Sequence, residues 1–286
     1  MMELLWLPFS IATIILYGLG QVFVKETRTQ ISSANYLLLF SVNIFAMWAA
    51  YWLLFHEKGA YDGWIWVQAI AAAALSGAAY ITYYEALKHG KVSILGTIAG
   101  AYAPWTVFLA LIFLGEDMSI GEGAGVVLVV SAMLIFTYAP TKGNGNKKLE
   151  LLGILLAVAS LFFWGTSAMV AKGAINEMGD TNFIGVYAVV CPVMWTIYWL
   201  VTTKGKFEMP KANLKILEIS MLFLAAGGIT LYLAFAHGNV SIVSPITNLY
   251  PILTIAVAKF RLKEQLNIKQ YAALAMLLAA VPLFSL

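Results

Sequence analysis

The sequence predicts an all-α integral membrane protein, ten transmembrane helices arranged as two inverted five-helix repeats. Three observations lead there. The 286 residues are 62% hydrophobic and 11% charged, against roughly 45–50% and 25% in soluble domains. The apolar residues fall into ten stretches joined by short polar connections. The two halves of the chain also match one another in a fixed register.

A helix needs roughly 20 apolar residues to cross a bilayer core, because amides in lipid must be satisfied within the segment. Such spans fall at 4–24, 34–55, 64–87, 92–114, 121–139, 149–171, 182–203, 214–236, 240–259 and 269–285. The opening Met1-Met2-Glu3-Leu4-Leu5-Trp6 shows no basic n-region or small-residue cleavage site, so the first stretch is expected to be a retained span. The longest internal polar break, "PTKGNGNKK" at 140–148, parts the spans five and five. It separates a first repeat, residues 1–139, from a second, residues 149–286, with no separate soluble domain.

A shift of 148 residues, the distance from His89 to His237, lays "HGKVSI" on "HGNVSI". It also lays Tyr84, Tyr102, Thr106 and Glu116 on Tyr232, Tyr250, Thr254 and Glu264. Upstream the register moves by one, and Tyr17-Gly18 with Lys25 meets Trp164-Gly165 with Lys172. Five is odd, so the second half must enter the membrane upside down relative to the first, the arrangement from which many secondary transporters build two states. His89 and His237 fall in tight turns after spans three and eight. Gly90 and Gly238 are expected to supply positive φ there; a gating or protonation role for the histidines is the alternative.

Several motifs carry a family resemblance. "LYGLGQVFVK" and "FFWGTSAMVAK" end spans one and six, "YYEAL" precedes the first turn, a Pro lies in the following span, and "FLGEDMS" follows it. Together they resemble the EamA-type branch of the drug/metabolite transporter superfamily, over essentially the whole chain. The resemblance implies ten helices in two inverted repeats around a cavity lined chiefly by the first, third and fourth helices of each half. It leaves the substrate open, since relatives carry amino acids, other metabolites and drugs. Glu85 departs from the small or apolar residue more usual there, and Arg261-Leu262-Lys263-Glu264 from the usual apolar-Gly-Glu ending.

Spans four and nine, "SILGTIAGAYAPWT" and "SIVSPITNLYPILT", are interrupted by Gly or Pro at matching places, a pointer to a transporter site. Gly96, Gly100 and Ala103 meet Ser244, Asn248 and Pro251. Small residues equally suit close helix packing, whereas an amide at mid-membrane needs partners and suits a wet cavity. Gly100, Tyr102, Ser244, Asn248 and Tyr250 are therefore cavity candidates. Tyr80, Tyr83, Tyr84 and Leu87 make one face of span three by their i, i+3, i+4, i+7 spacing, and Tyr17 and Trp164 hold matching places in spans one and six. Such side chains suit a zwitterionic or amphipathic solute. The competing reading is an interfacial belt, to which Trp64, Trp66, Trp195, Tyr198 and Trp199 are assigned.

Glu85 precedes Lys88 and His89 by about a turn. It either snorkels and pairs at the interface or couples transport to protons. Lys25 and Lys172 end spans one and six as anchors or as ligands for a substrate carboxylate. Glu116 and Glu264 precede Ser119 and Asn267, which can cap the following helices, and are read as structural.

H-E-x-x-H, G-x-S-x-G, paired intramembrane Asp and a phosphate loop are all missing from the sequence, which argues against an intramembrane enzyme and a primary pump. A single Cys191 allows no intrachain disulfide. No cofactor, metal or nucleic acid is expected; the expected partners are a small-molecule substrate, the lipid bilayer and protons, with the protein a monomer. The expected function is secondary transport of an amino-acid-like or amphipathic metabolite by alternating access; the alternative is a channel or non-transporting scaffold of the same fold. Fifteen of the 17 Lys and Arg lie in odd-numbered connections, leaving Lys58 and Lys172 on the side of the termini. Short basic loops stay cytoplasmic, so a multi-pass plasma-membrane protein with both termini external is expected, opposite to many relatives.

Overall fold

A computed structural model describes residues 4–27, 30–89, 92–137, 147–211, 213–261, 268–280 and 283. Its helices are α1 (Trp6–Thr27), α2 (Ser33–Phe55), α3 (Gly63–Ala86), α4 (Val92–Gly100), α5 (Ala103–Leu109), α6 (Ile120–Thr137), α7 (Lys147–Met178), α8 (Asp180–Thr203), α9 (Leu214–His237), α10 (Val240–Thr247), α11 (Tyr250–Arg261) and α12 (Ile268–Ala280). No strand occurs among the described residues. Six of these helices are long and apolar enough to cross a membrane, and shorter apolar helices fill the remaining four stretches.

Spans four and nine are each broken in two, and the sequence explains where. α4 stops at Gly100, and α5 starts with Pro104 in its first turn. α10 stops at Thr247, and Pro251 sits in the first turn of α11. A proline lacks the N–H that would continue the preceding ladder and is tolerated only at a helix start. Asn248 closes α10: both its backbone N–H and its Nδ2 donate to the Ser244 carbonyl, at 3.1 Å each. A single π turn, Ala110–Leu114, continues α5 and ends at Gly115 with φ 63°.

Some expectations are corrected. Span six does not stop at 171 but runs to Met178 as part of the 32-residue α7. The Ala-, Glu- and Met-containing "GAINEM" sustains the helix until Gly179 turns at φ 80°. Gly238 has φ −143°, extended rather than left-handed. Its glycine is required by space, since a Cβ there would lie 2.7 Å from Trp6. Gly90 lies outside the described residues. Of the assigned belt, Trp64 and Trp66 are exposed. Trp195 is fully buried, its Nε1 donating to the Gly77 carbonyl at 3.1 Å and its ring stacked on Phe40. Trp199 donates to Asn35 Oδ1, and the Tyr198 hydroxyl to Glu85. α8 is apolar on every side, so its pattern could not tell its inward face from its lipid face.

The main packing pairs join helices from opposite sides of the 140–148 break: α1 on α9, α3 on α7, α2 on α8 and α6 on α12. The core between them is aromatic, with Tyr36, Phe40, Trp48, Tyr84, Phe183, Trp195 and Phe235 all fully buried or nearly so.

Candidate functional site

Between these pairs lies a cavity of about 80 Å³, room for several water-sized groups. Helical spacing selects what faces it. α3 contributes Ser76, Tyr80, Tyr83 and Tyr84; α9 contributes Leu224, Gly228, Leu231, Tyr232 and Phe235. α1 adds Tyr17 and Gln21, α7 adds Trp164, Ser167 and Ala168, and the second helix of each half adds Ile44 and Trp48 or Tyr187. The broken spans supply Gly100, Tyr102 and Tyr250.

The rings brace one another. Trp164 meets Tyr80 edge-on at 5.1 Å and contacts Tyr83 at 5.5 Å and Tyr102 at 6.1 Å. Tyr17 meets Tyr250 edge-on at 5.8 Å. Trp48 packs on Tyr187 at 4.4 Å while its Nε1 donates to the Ala225 carbonyl at 2.9 Å. Tyr187 and Ser76 share a hydrogen bond of 2.8 Å. Two glycines make these approaches possible. A Cβ on Gly228 would lie 2.5 Å from Trp48, and one on Gly165 would lie 2.7 Å from Trp105 and 3.0 Å from the Tyr102 carbonyl.

The described lining side chains are polar through hydroxyls, indole N–H groups and the Gln21 amide, and none of them is charged. No group of His, Cys, Asp and Glu suited to a metal occurs among the described residues. Such a site can hold an apolar body against ring faces and orient a polar group with hydroxyls.

The structure brings Tyr17, Tyr80, Tyr83, Tyr84, Gly100, Tyr102, Trp164 and Tyr250 together here. Ser244 and Asn248 are not on the lining. They are buried behind Tyr102, with both side chains within hydrogen-bonding reach of its hydroxyl. Glu85 lies away from the cavity near the end of α3, half-exposed and paired with Lys88. Lys172 is also off the lining, buried, with Nζ donating to the Phe235 carbonyl at 2.6 Å. The Lys25 side chain lies outside the described ones. Ser119 caps α6 in a reciprocal pair with Glu122, at 3.1 and 2.6 Å. Glu116 instead caps a helix of the other half, accepting from Val240 and Ser241 N–H.

Trp48, Tyr187, Tyr232 and Gln21 are lining residues that sequence reasoning did not single out. Tyr232 had a signal, as the register partner of Tyr84. Trp48 and Tyr187 lie on second helices and had none.

Fold and site together define a multi-pass membrane protein with an aromatic, uncharged cavity between its halves. Residues 4–138 and 151–286 match the EamA-like transporter family, and the chain belongs to it. An "Uncharacterized transporter YvbV" of Bacillus subtilis (strain 168) is 22% identical over 202 residues, 65% of each chain. The match thus spans slightly less than two thirds of that relative's length. An uncharacterized protein of Methanocaldococcus jannaschii is 26% identical over 141 residues, covering 48% of this chain and 95% of that one. A solved crystal structure of a protein superposes with TM-score 0.76 at 15% identity, covering 97% of this chain and 95% of its own. That likeness concerns the fold alone.

Proposed function

We propose that this protein is a secondary transporter that carries a small amphipathic or amino-acid-like metabolite by alternating access between two inverted five-helix repeats. The observation that carries the reading is the cavity itself, uncharged and aromatic, walled by paired helices from both sides of the linker. Ring faces offer contact to an apolar body or an ammonium group, and hydroxyls offer hydrogen bonds to a polar head. Family membership and a transporter-named relative support the class. A relative matched over nearly all its length by about half of this chain supports the five-span unit as the ancestral module. The odd span number then implies inversion, and the Lys/Arg distribution supports both termini being external.

A solute library screened by thermal shift identifies the ligand, since one present at 100 times its Kd adds about 2.7 kcal/mol. In proteoliposomes its uptake should be saturable and competable, and Tyr80→Ala and Trp164→Ala should each lower uptake at least about tenfold, the factor given by about 1.4 kcal/mol. Flux that rises linearly with solute concentration and ignores both substitutions would replace this reading with a channel.

A further inference from the structure

We propose that Glu116 and Lys172 form a tie that holds the α9–α10 corner shut across one end of the cavity, and that its release opens that end. The proposal rests on the alternating-access reading.

The corner is gripped on both sides by opposite charges. Glu116 follows Gly115, just beyond the π turn that ends the fourth span. Its Oε1 accepts from the Val240 N–H at 2.9 Å and its Oε2 from the Ser241 N–H at 2.8 Å. These are donors that the first turn of α10 leaves without partners, at the end of the helix that favours an anion. Lys172, from α7, donates to the Phe235 carbonyl at 2.6 Å. That carbonyl lies in the last turn of α9, where acceptors are left over and a cation is favoured. Lys172 is only 8% exposed and lies within electrostatic reach of Glu116. Phe235 is itself a lining residue, so the tie acts directly on the cavity wall.

An ordinary cap would come from the corner's own chain. Asn239 holds the N-cap position of α10 and is a strong capping type, yet its side chain makes no capping bond. The start of α10 therefore has two caps available. One, Glu116, comes from across the linker; the other, Asn239, travels with the corner. When the corner moves away from Glu116, the Asn239 side chain can take over the Ser241 N–H, the second donor of the helix, so opening leaves only the Val240 N–H to be met by water. By sequence alone, the 148-residue register repeats the set as Glu264 and Val92-Ser93, with Lys25 for Lys172 after a one-residue shift.

The test is thiol labelling of Leu231→Cys, a lining position, in proteoliposomes with a membrane-impermeant reagent. Wild type is the blank, because its one cysteine, Cys191, is fully buried. Glu116→Gln should raise the labelling rate roughly tenfold from the face carrying the corner, as loss of about 1.4 kcal/mol from the closed state requires. Val240→Pro removes one donor at a helix start that tolerates proline and leaves both charges in place; it should raise the rate in the same sense and serves if the Gln variant does not fold. Asn239→Ala should leave melting unchanged alone and lower it in the Glu116→Gln background. Folded Glu116→Gln and Val240→Pro variants that label within about twofold of the parent would overturn the proposal and reduce the contacts to static caps. Labelling requires no transported solute, so this outcome is separate from a failure of the uptake assay.

Discussion

Trp195→Ala is the sharpest test of the core, because an interfacial tryptophan and a buried one respond very differently. Trp195 is 0% exposed. Its ring stacks on Phe40 at 5.3 Å and meets Tyr80 at 5.2 Å, and its Nε1 donates to the Gly77 carbonyl at 3.1 Å. Truncating a buried Trp to Ala costs about 3–5 kcal/mol. Lipid tails are as apolar as the core, so the hydrophobic share shrinks and lost packing dominates, which favours the lower figure. At about 2–4 °C per kcal/mol for a chain of this order, about 3 kcal/mol becomes a fall in Tm of about 6–12 °C. Trp195→Phe keeps the stack but loses the indole donor, a change of about 1 kcal/mol. Trp64→Ala, at a residue 64% exposed, should stay within about 0.5 kcal/mol of wild type. The assay is thermal unfolding of all four proteins, followed by circular dichroism in one detergent. If Trp195→Ala and Trp64→Ala melt within about 2 °C of each other, the buried position of Trp195 is wrong.

Gly165→Ala should cost about 1–3 kcal/mol, since its Cβ would press on both Trp105 and the Tyr102 backbone; an unchanged Tm would mean that α7 does not approach the break this closely. Ser119→Ala removes the exposed cap of α6 and should cost about 0.5–2 kcal/mol, read in the same melts. Glu85→Gln should leave the pH profile of transport unchanged, because Glu85 is paired with Lys88 and Tyr198 away from the cavity; a shifted profile would make it a coupling group. In intact cells an impermeant thiol reagent should label Gly59→Cys and miss Gly145→Cys. The reverse pattern would place both termini inside.

The helical stretches and their breaks were legible because each depends on local chemistry. Apolar runs of bilayer length and prolines that cannot continue a ladder speak for themselves. The tyrosine face of α3 was legible for the same reason, as its spacing lies within one helix. What the sequence hid depends on where distant helices meet. Trp48 and Tyr187 are brought to the cavity by the contact of α2 with α8, which leaves no periodic mark on either. Glu116 reads locally as part of a loop, and only packing shows that its carboxylate caps α10. Gly238 had the residue type of a left-handed turn, but it is there to make room for Trp6.

The pairing of α1 with α9, α3 with α7, α2 with α8 and α6 with α12 has a genetic corollary. Each helix finds its chief neighbour in the other copy of the module, so the two copies cannot drift apart independently after duplication. A change that enlarges a side chain on α1 is answered by one that shrinks a side chain on α9, some two hundred positions away in the gene, and not on the adjoining α2. Second-site suppressors of a packing lesion in one half should therefore map to the other.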